Sequence, residues 1–165
     1  MTFRYLILFL LLIAALPSFS GEKFSYWFTD NTLRYDYMIA GNDKETRVFP
    51  LQMWKEPGWA GSKLNLIEKM NYGSYRFQVF DEASGTVIYS RGFAPLFQEW
   101  QTTAEAKKTQ RTYYQALFFP FPKHKVKIKI ENRDWNGNFV PLFEAAVDPD
   151  DYFIHQETPQ KNDVF

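Results

Sequence analysis

Histidine and cysteine supply most of the metal ligands in proteins, and this sequence contains two histidines and no cysteine. The two histidines, His124 and His155, lie far apart in the chain. A catalytic zinc site of the metallopeptidase type needs two histidines one helical turn apart in the motif His-Glu-x-x-His. That motif is absent. The sequence therefore predicts no metal ligand and no cofactor in this chain, and both histidines are expected to be solvated.

Paired carboxylates are a second candidate for chemistry, because a glycosidase works with two of them. Glu99 and Glu105 lie in one polar segment. A glutamate in such a segment more commonly caps backbone N–H groups or pairs with an arginine, here Arg91 or Arg111. No nucleophile elbow, phosphate-binding glycine loop or dinucleotide motif is present. We assign no catalytic residue, and no enzymatic activity is expected of this chain alone.

An acidic cluster near the end of the chain has the composition of a calcium site. Asp148, Asp150 and Asp151 supply alternate oxygen ligands, as calcium-binding loops do. Pro149 and the lack of an EF-hand glycine instead favour a simple turn.

Three tryptophans, Trp59, Trp100 and Trp135, lie in predicted loops. An aromatic ring in a loop either closes the end of a hydrophobic core or stacks on a sugar or protein ligand. Both interpretations of these tryptophans stay open on the sequence alone.

Alternation of apolar and polar residues predicts the elements that position these side chains. The clearest signal is a hairpin, in which Ser74 to Asp81 and Thr86 to Phe93 flank a tight turn. Lysines alternate with valine and isoleucine from Lys123 to Ile130, which indicates a strand with one solvated face. About nine or ten such strands and at most one short helix predict an all-β fold, an antiparallel β-sandwich, with a closed barrel as the alternative.

Three local expectations refine this prediction. Phe24 to Phe28 and Leu33 to Ile39 are expected to be two strands joined by a turn at Thr29-Asp30-Asn31-Thr32. Pro50 predicts an edge position or a bulge in the third strand. The single helix is expected between Thr103 and Gln110, where Thr103 would be the N-cap and Ala, Glu and Lys favour helix.

Residues 1–20 have the pattern of a signal peptide. Arg4 is followed by an apolar run from Leu6 to Leu16 and by small residues up to Ser20, where cleavage is expected. An uncleaved anchor is the alternative, although a membrane span takes about 20 residues. We expect residues 21–155 to form one sandwich domain and residues 156–165 a linker or truncated end. The expected location is secreted, periplasmic or on the cell surface.

Composition excludes one class of partner. The chain has 19 basic and 19 acidic residues, so no broad attraction to nucleic acid is expected. Without cysteine no disulfide stabilises the fold, and packing of the 19% of residues that are aromatic must do so.

An ordered series of short motifs resembles the amino-terminal domain of the immunoglobulin-A peptidase family, secreted bacterial zinc metallopeptidases that form metallopeptidase family sixty-four. The resemblance covers roughly residues 24–154. It rests on Thr32-Leu33-Arg34-Tyr35-Asp36-Tyr37, Trp59-Ala60-Gly61-Ser62, Leu64-Asn65-Leu66-Ile67, Tyr89-Ser90-Arg91-Gly92-Phe93, Glu99-Trp100-Gln101-Thr102-Thr103, Phe119-Pro120-Phe121-Pro122 and Asp148-Pro149-Asp150.

The resemblance implies a non-catalytic accessory domain that packs on or positions a catalytic domain, with zinc bound only in that second domain. A catalytic peptidase domain in cis is the partner that it implies. The expected docking or binding residues are Arg91, Glu99, Trp100, Trp59 and Trp135. The alternatives are that these motifs only fix a turn, with Arg91 paired to Glu99, or that the chain is a stand-alone secreted module that binds a protein or a glycan.

Overall fold

The structure is a computed structural model that describes residues 24–157. The expected signal peptide and most of the expected linker lie outside the described residues. The elements in chain order are α1 (Phe24–Trp27), β1 (Phe28–Gly41), β2 (Thr46–Pro57), β3 (Tyr75–Asp81), β4 (Val87–Phe93), α2 (Leu96–Gln101), β5 (Arg111–Pro122), β6 (Val126–Arg133), β7 (Phe139–Val147) and β8 (Ile154–Gln156). None of the described helices is long and apolar enough to cross a membrane.

The strands form two four-stranded sheets, which confirms the predicted all-β sandwich. The first sheet has the order β5-β1-β2-β8 and the second β4-β3-β6-β7. Neighbouring strands are antiparallel except β2 and β8, which run parallel over three residue pairs. Within the described residues the two sheets remain separate and do not close into a barrel.

An aromatic core joins the two sheets. Phe119 of β5 contacts Phe77 of β3 and Tyr89 of β4, with both ring-centroid distances at 6.3 Å. Each such ring removes about 150 to 250 Å² from water on burial. The predicted hairpin is present as β3 and β4. The alternation predicted for Lys123 to Ile130 is confirmed, since the valine and isoleucines of β6 are buried and its lysines lie outside.

Pro50 lies at a bulge, as predicted. Asp36 pairs with Gln52 while Tyr37 pairs with Pro50, so Leu51 is an extra residue in β2. A proline is tolerated at such a position because it removes no ladder hydrogen bond.

The turn predicted at Thr29-Asp30-Asn31-Thr32 is wrong. Phe24–Trp27 forms one helical turn, and β1 then runs without a break from Phe28 to Gly41. Phe28 pairs with Pro122 and Thr32 pairs with Pro120, so three residues of β1 bulge opposite one residue of β5. The residues that were expected to form a turn therefore form a bulge inside a strand.

The helix predicted between Thr103 and Gln110 is also wrong. The helix is α2, at Leu96–Gln101, and the segment that follows it forms turns. Thr103 does cap a turn there, because its Oγ1 accepts a hydrogen bond from the Ala106 N–H at 3.3 Å. Burial of Phe97 and Trp100 selects the helix position, which outweighs the helix propensity of the later segment.

Candidate docking surface

Helix α2 closes one end of the sandwich, and Trp100 is part of that closure. The Phe97 and Trp100 rings are buried and lie 5.8 and 6.0 Å from the ring of Tyr113. The Trp100 Nε1–H donates a 3.1 Å hydrogen bond to Glu105 Oε2, and Glu105 Oε1 accepts one from Arg111 at 2.5 Å. Of the partners considered for a glutamate in this segment, Arg111 is the one that pairs with Glu105.

The polar residues beside Trp100 also have local partners. Gln101 Nε2 donates to the Asn42 carbonyl at 2.7 Å and to Thr46 Oγ1 at 3.1 Å, which ties α2 to the turn between β1 and β2. Thr102 Oγ1 donates to the Glu99 carbonyl at 2.7 Å. The Glu-Trp-Gln-Thr-Thr motif thus holds the end of the sandwich together, whereas the side chain of Glu99 is exposed.

Arg91 attaches the loop at residues 58–74 to the edge of β4. Its guanidinium lies 4.5 Å from the centroid of the Tyr89 ring and donates to the carbonyls of Asn65 at 2.7 Å and Leu66 at 3.0 Å. The expected pairing of Arg91 with Glu99 is wrong, because these backbone carbonyls occupy the guanidinium.

The other two tryptophans differ in exposure. Trp59 is half-buried with its ring edge-on to Tyr89 at 5.9 Å, and its Nε1–H donates to the Ser62 carbonyl at 3.3 Å. Trp135 is fully exposed in the turn between β6 and β7. The three tryptophans therefore do not share one binding surface. A docking role for Arg91, Glu99, Trp100, Trp59 and Trp135 stays a prediction, and the contacts of Arg91, Trp59 and Trp100 favour a structural role.

The acidic cluster organises a turn. Asp148 Oδ2 pairs with Lys125 Nζ at 2.8 Å, and a hydrogen bond from Lys125 lowers the pKa of Asp148. Asp148 Oδ1 accepts the Asp150 N–H at 3.1 Å, and Asp151 Oδ1 accepts the Phe153 N–H at 2.9 Å. Among residues 24–157 no group of three or more His, Asp or Glu could hold a metal ion, so these residues do not fit a zinc centre.

The outer face of the first sheet carries a set of side chains that the sequence did not single out as a site. We call it the Arg34 face. Cross-strand pairing brings Phe118 of β5, Arg34 of β1 and Trp54 of β2 into one row, with His155 of β8 beside Trp54. The next row on the same face contains Ala116, Asp36 and Gln52. The row after it contains Tyr114, Met38 and Phe49.

Asp36 lies at the centre of the Arg34 face and is nevertheless fully buried, with 0% exposure. Its Oδ1 lies 3.1 Å from Arg34 Nε, and its Oδ2 accepts a hydrogen bond from Gln52 Nε2 at 3.0 Å. The Tyr114 hydroxyl is the third group that interacts with this carboxylate. Arg34 is also paired with Glu56, at 2.5 Å. Each of these charged groups therefore has an oppositely charged partner, with Arg34 shared by two carboxylates.

These pairs shift the protonation equilibria on the face. Burial opposes the charged form of Arg34, but Asp36 and Glu56 outweigh it and raise the pKa of Arg34. Burial and the hydrogen bond to Asp36 raise the pKa of Tyr114. The face thus keeps a fixed ion pair at neutral pH.

Aromatic rings surround the ion pair and are open to solvent. Phe49, Tyr114 and Phe118 are each exposed by 47 to 54%. The Trp54 ring is half-buried between the Arg34 guanidinium, at 5.1 Å, and the His155 ring, at 4.6 Å. His155 lies in β8 and is exposed, as expected of a solvated histidine. Aromatic residues and arginine around a dry centre are typical of a protein–protein interface.

Comparison with known families adds an independent observation. The family model of the peptidase M64 N-terminus matches residues 23–144. The match spans well over half of the chain and contains the Arg34 face except for β8. No curated protein matches the chain.

Proposed function

We propose that this chain, which belongs to the peptidase M64 N-terminus family and is an accessory domain of that family, packs through the Arg34 face on a zinc-binding catalytic domain and positions it. The zinc ion and the peptide-bond chemistry belong to the catalytic domain, since this sequence has no His-Glu-x-x-His motif. Export by the signal peptide is part of this proposal.

The composition of the Arg34 face is the observation that carries the proposal. Three half-exposed aromatic rings, Phe49, Tyr114 and Phe118, surround a buried ion pair on one side of a rigid sheet. A partner that covers these rings gains hydrophobic free energy without having to desolvate an unpaired charge. A sheet face of this kind is well suited to a stable contact between domains.

The path of the chain supports the same partner. β8 is the edge strand of the first sheet and runs beside Trp54, and the Glu157 N–H then donates to the Lys55 carbonyl at 3.0 Å. The last described residue therefore lies at the border of the Arg34 face. A domain that followed in the same chain would thus be tethered within reach of the surface that it would cover.

A protein partner fits this face better than a glycan, the ligand in one alternative hypothesis. Sugar recognition needs free polar groups beside an aromatic ring. On the Arg34 face the Asp36 carboxylate is already paired with Arg34 and Gln52, and the Nε1–H of Trp54, which has no hydrogen-bond partner among the described residues, is buried. The surface left to a partner is largely apolar.

Binding in solution tests the proposal. The full chain is titrated by isothermal calorimetry with the catalytic domain of an M64 peptidase from the same organism. We expect a complex that is weakened about tenfold or more by Phe118→Ala, since a buried aromatic side chain contributes about 1.5 to 3 kcal/mol. Leu64→Ala is the matched control, because Leu64 is exposed in the loop at residues 58–74, outside this face.

Absence of a complex, or equal affinity of the Phe118 and Leu64 variants, contradicts the proposal. A parallel titration with glycans tests the binding-module alternative. If a glycan changes the tryptophan fluorescence of the wild type and Phe118→Ala abolishes that change, then the ligand of this face is a glycan and not the catalytic domain.

A further inference from the structure

A second surface lies at the tips of two loops and is distinct from the Arg34 face. Arg133 holds these loops together: its Nε donates to the Gly73 carbonyl at 2.9 Å, and its Nη2 and Nη1 donate to the carbonyls of Asn71 at 2.6 Å and Gly137 at 2.5 Å. The guanidinium also lies 4.1 Å from the centroid of the Phe139 ring. One side chain thus fixes the loop before β3 against the turn between β6 and β7.

Each of the two loops contains one acidic side chain, and both carboxylates accept hydrogen bonds from backbone N–H groups. Glu68 accepts the N–H groups of Met70 at 2.5 Å and Tyr72 at 3.3 Å. Asp134 Oδ1 accepts the N–H groups of Asn136 at 2.9 Å and Asn138 at 2.8 Å. Neither carboxylate is therefore directed toward a partner.

Three of the exposed side chains at the tips are apolar or aromatic. Trp135 is fully exposed, and Tyr72 and Met70 are exposed by 67% and 63%. Lys69 is exposed, and within the described residues it takes part in no ion pair. The rigid tips, which we call the loop-tip surface, thus present Lys69, Met70, Tyr72 and Trp135.

We infer that the loop-tip surface binds a lipid bilayer at its headgroup region. Trp and Tyr have an apolar ring with a polar edge, and they favour the boundary between acyl chains and headgroups. The cation of Lys69, in a loop whose own carboxylate, Glu68, accepts backbone N–H groups, is complementary to anionic headgroups. Because the chain is nearly neutral overall, the rings supply most of the binding and Lys69 a smaller part.

The position of this surface is compatible with the proposed function but does not depend on it. Ser74, next to the loop tips, is hydrogen-bonded to Gln98 of α2, and Gln101 of α2 donates to Thr46, so the loop tips lie at the end of the sandwich where β2 starts. β8 runs parallel to β2 and leads the chain toward the opposite end. A bilayer and a domain on the Arg34 face would therefore contact different parts of the molecule.

Sedimentation with vesicles tests the inference on the full chain. The probes are vesicles of phosphatidylcholine alone and of phosphatidylcholine mixed with phosphatidylglycerol. We expect binding to both, stronger to the mixed vesicles, and a roughly tenfold or larger loss with Trp135→Ala. Lys69→Ala should reduce only the preference for the mixed vesicles. Tyr26→Ala is the control, because Tyr26 is an aromatic residue about as exposed as Tyr72 and lies at the other end of the sandwich, in α1.

Two outcomes overturn the inference: wild-type protein that stays in the supernatant, and Trp135→Ala protein that sediments like the wild type. Quenching by lipids brominated on the acyl chains gives a second readout, which Trp135→Ala should abolish. Trp135 is fully exposed in the part of the chain that the structure describes, so the variant should melt like the wild type. Calorimetric titration with the catalytic domain separates the two proposals, since Trp135→Ala should leave that affinity unchanged.

Discussion

Removal of the Asp36 carboxylate should destabilise the fold although Asp36 belongs to the outer face of a sheet. Asp36→Ala deletes the acceptor for Arg34, Gln52 and Tyr114 at a position with no solvent access. Breaking a buried ion pair costs about 3 to 5 kcal/mol when one charge is left alone. Arg34 keeps Glu56 and is one-quarter exposed, so the lower end, about 3 kcal/mol, is expected.

A double-mutant cycle isolates the ion pair from the other contacts. Arg34→Ala leaves Asp36 buried with only neutral partners, and it should cost a similar free energy of unfolding. The double variant removes both charges, so it should cost less than the sum of the single variants, by about 1.5 to 3 kcal/mol.

Urea unfolding followed by circular dichroism measures all four proteins. The dependence of the unfolding free energy on urea should keep the same slope, because the exposed area hardly changes. If the two substitutions are additive within about 0.5 kcal/mol, the ion pair does not hold the Arg34 face together and the reasoning fails.

Three further predictions concern stability. Trp100→Ala should lower the free energy of unfolding by about 3 to 5 kcal/mol, whereas Trp135→Ala should change it by less than about 0.5 kcal/mol; similar losses in urea unfolding would contradict their burial. The buried Tyr37 hydroxyl has no hydrogen-bond partner among the described residues, so Tyr37→Phe should be neutral or stabilising, and a loss above about 1 kcal/mol in the same assay would contradict this. Hydrogen bonds, chiefly from the Asn138 N–H, lower the pKa of Asp134 below its ordinary value of 3.8. This carboxylate therefore stabilises the fold above that value, and the contribution is lost as the pH falls through the lowered pKa. The difference in Tm between wild type and Asp134→Asn should disappear on acidification, and a difference that grows would refute the assignment.

The strands could be predicted from the sequence because their signals are local. The alternation in Lys123 to Ile130 and the turn after Asp81 each lie within a few residues, and both appear as predicted. The position of helix α2 could not be predicted from the sequence, because it depends on the packing of Phe97 and Trp100 against Tyr113 of β5. Composition instead favoured the Ala- and Lys-rich segment that follows.

The Arg34 face could not be identified as a candidate site from the sequence. Arg34 and Asp36 stand two residues apart, so a strand places both on one side, and their motif was part of the family resemblance. The alternation of apolar and polar residues alone predicts that both side chains are solvated. Burial of Asp36 requires Gln52 and Tyr114, which arrive from two other strands through a register that the sequence does not specify. The predicted docking residues were sought in loops, except Arg91 near the end of a strand, whereas Arg34 and Asp36 lie within a sheet.

Hydroxyl-radical footprinting of the chain, alone and with an M64 catalytic domain, tests the docking proposal most directly. The account predicts that oxidation of Phe49, Tyr114 and Phe118 falls in the complex while that of Tyr26 and Trp135 does not change. Unchanged oxidation of the three rings in a complex that forms would contradict it, because the catalytic domain would then bind elsewhere on the sandwich.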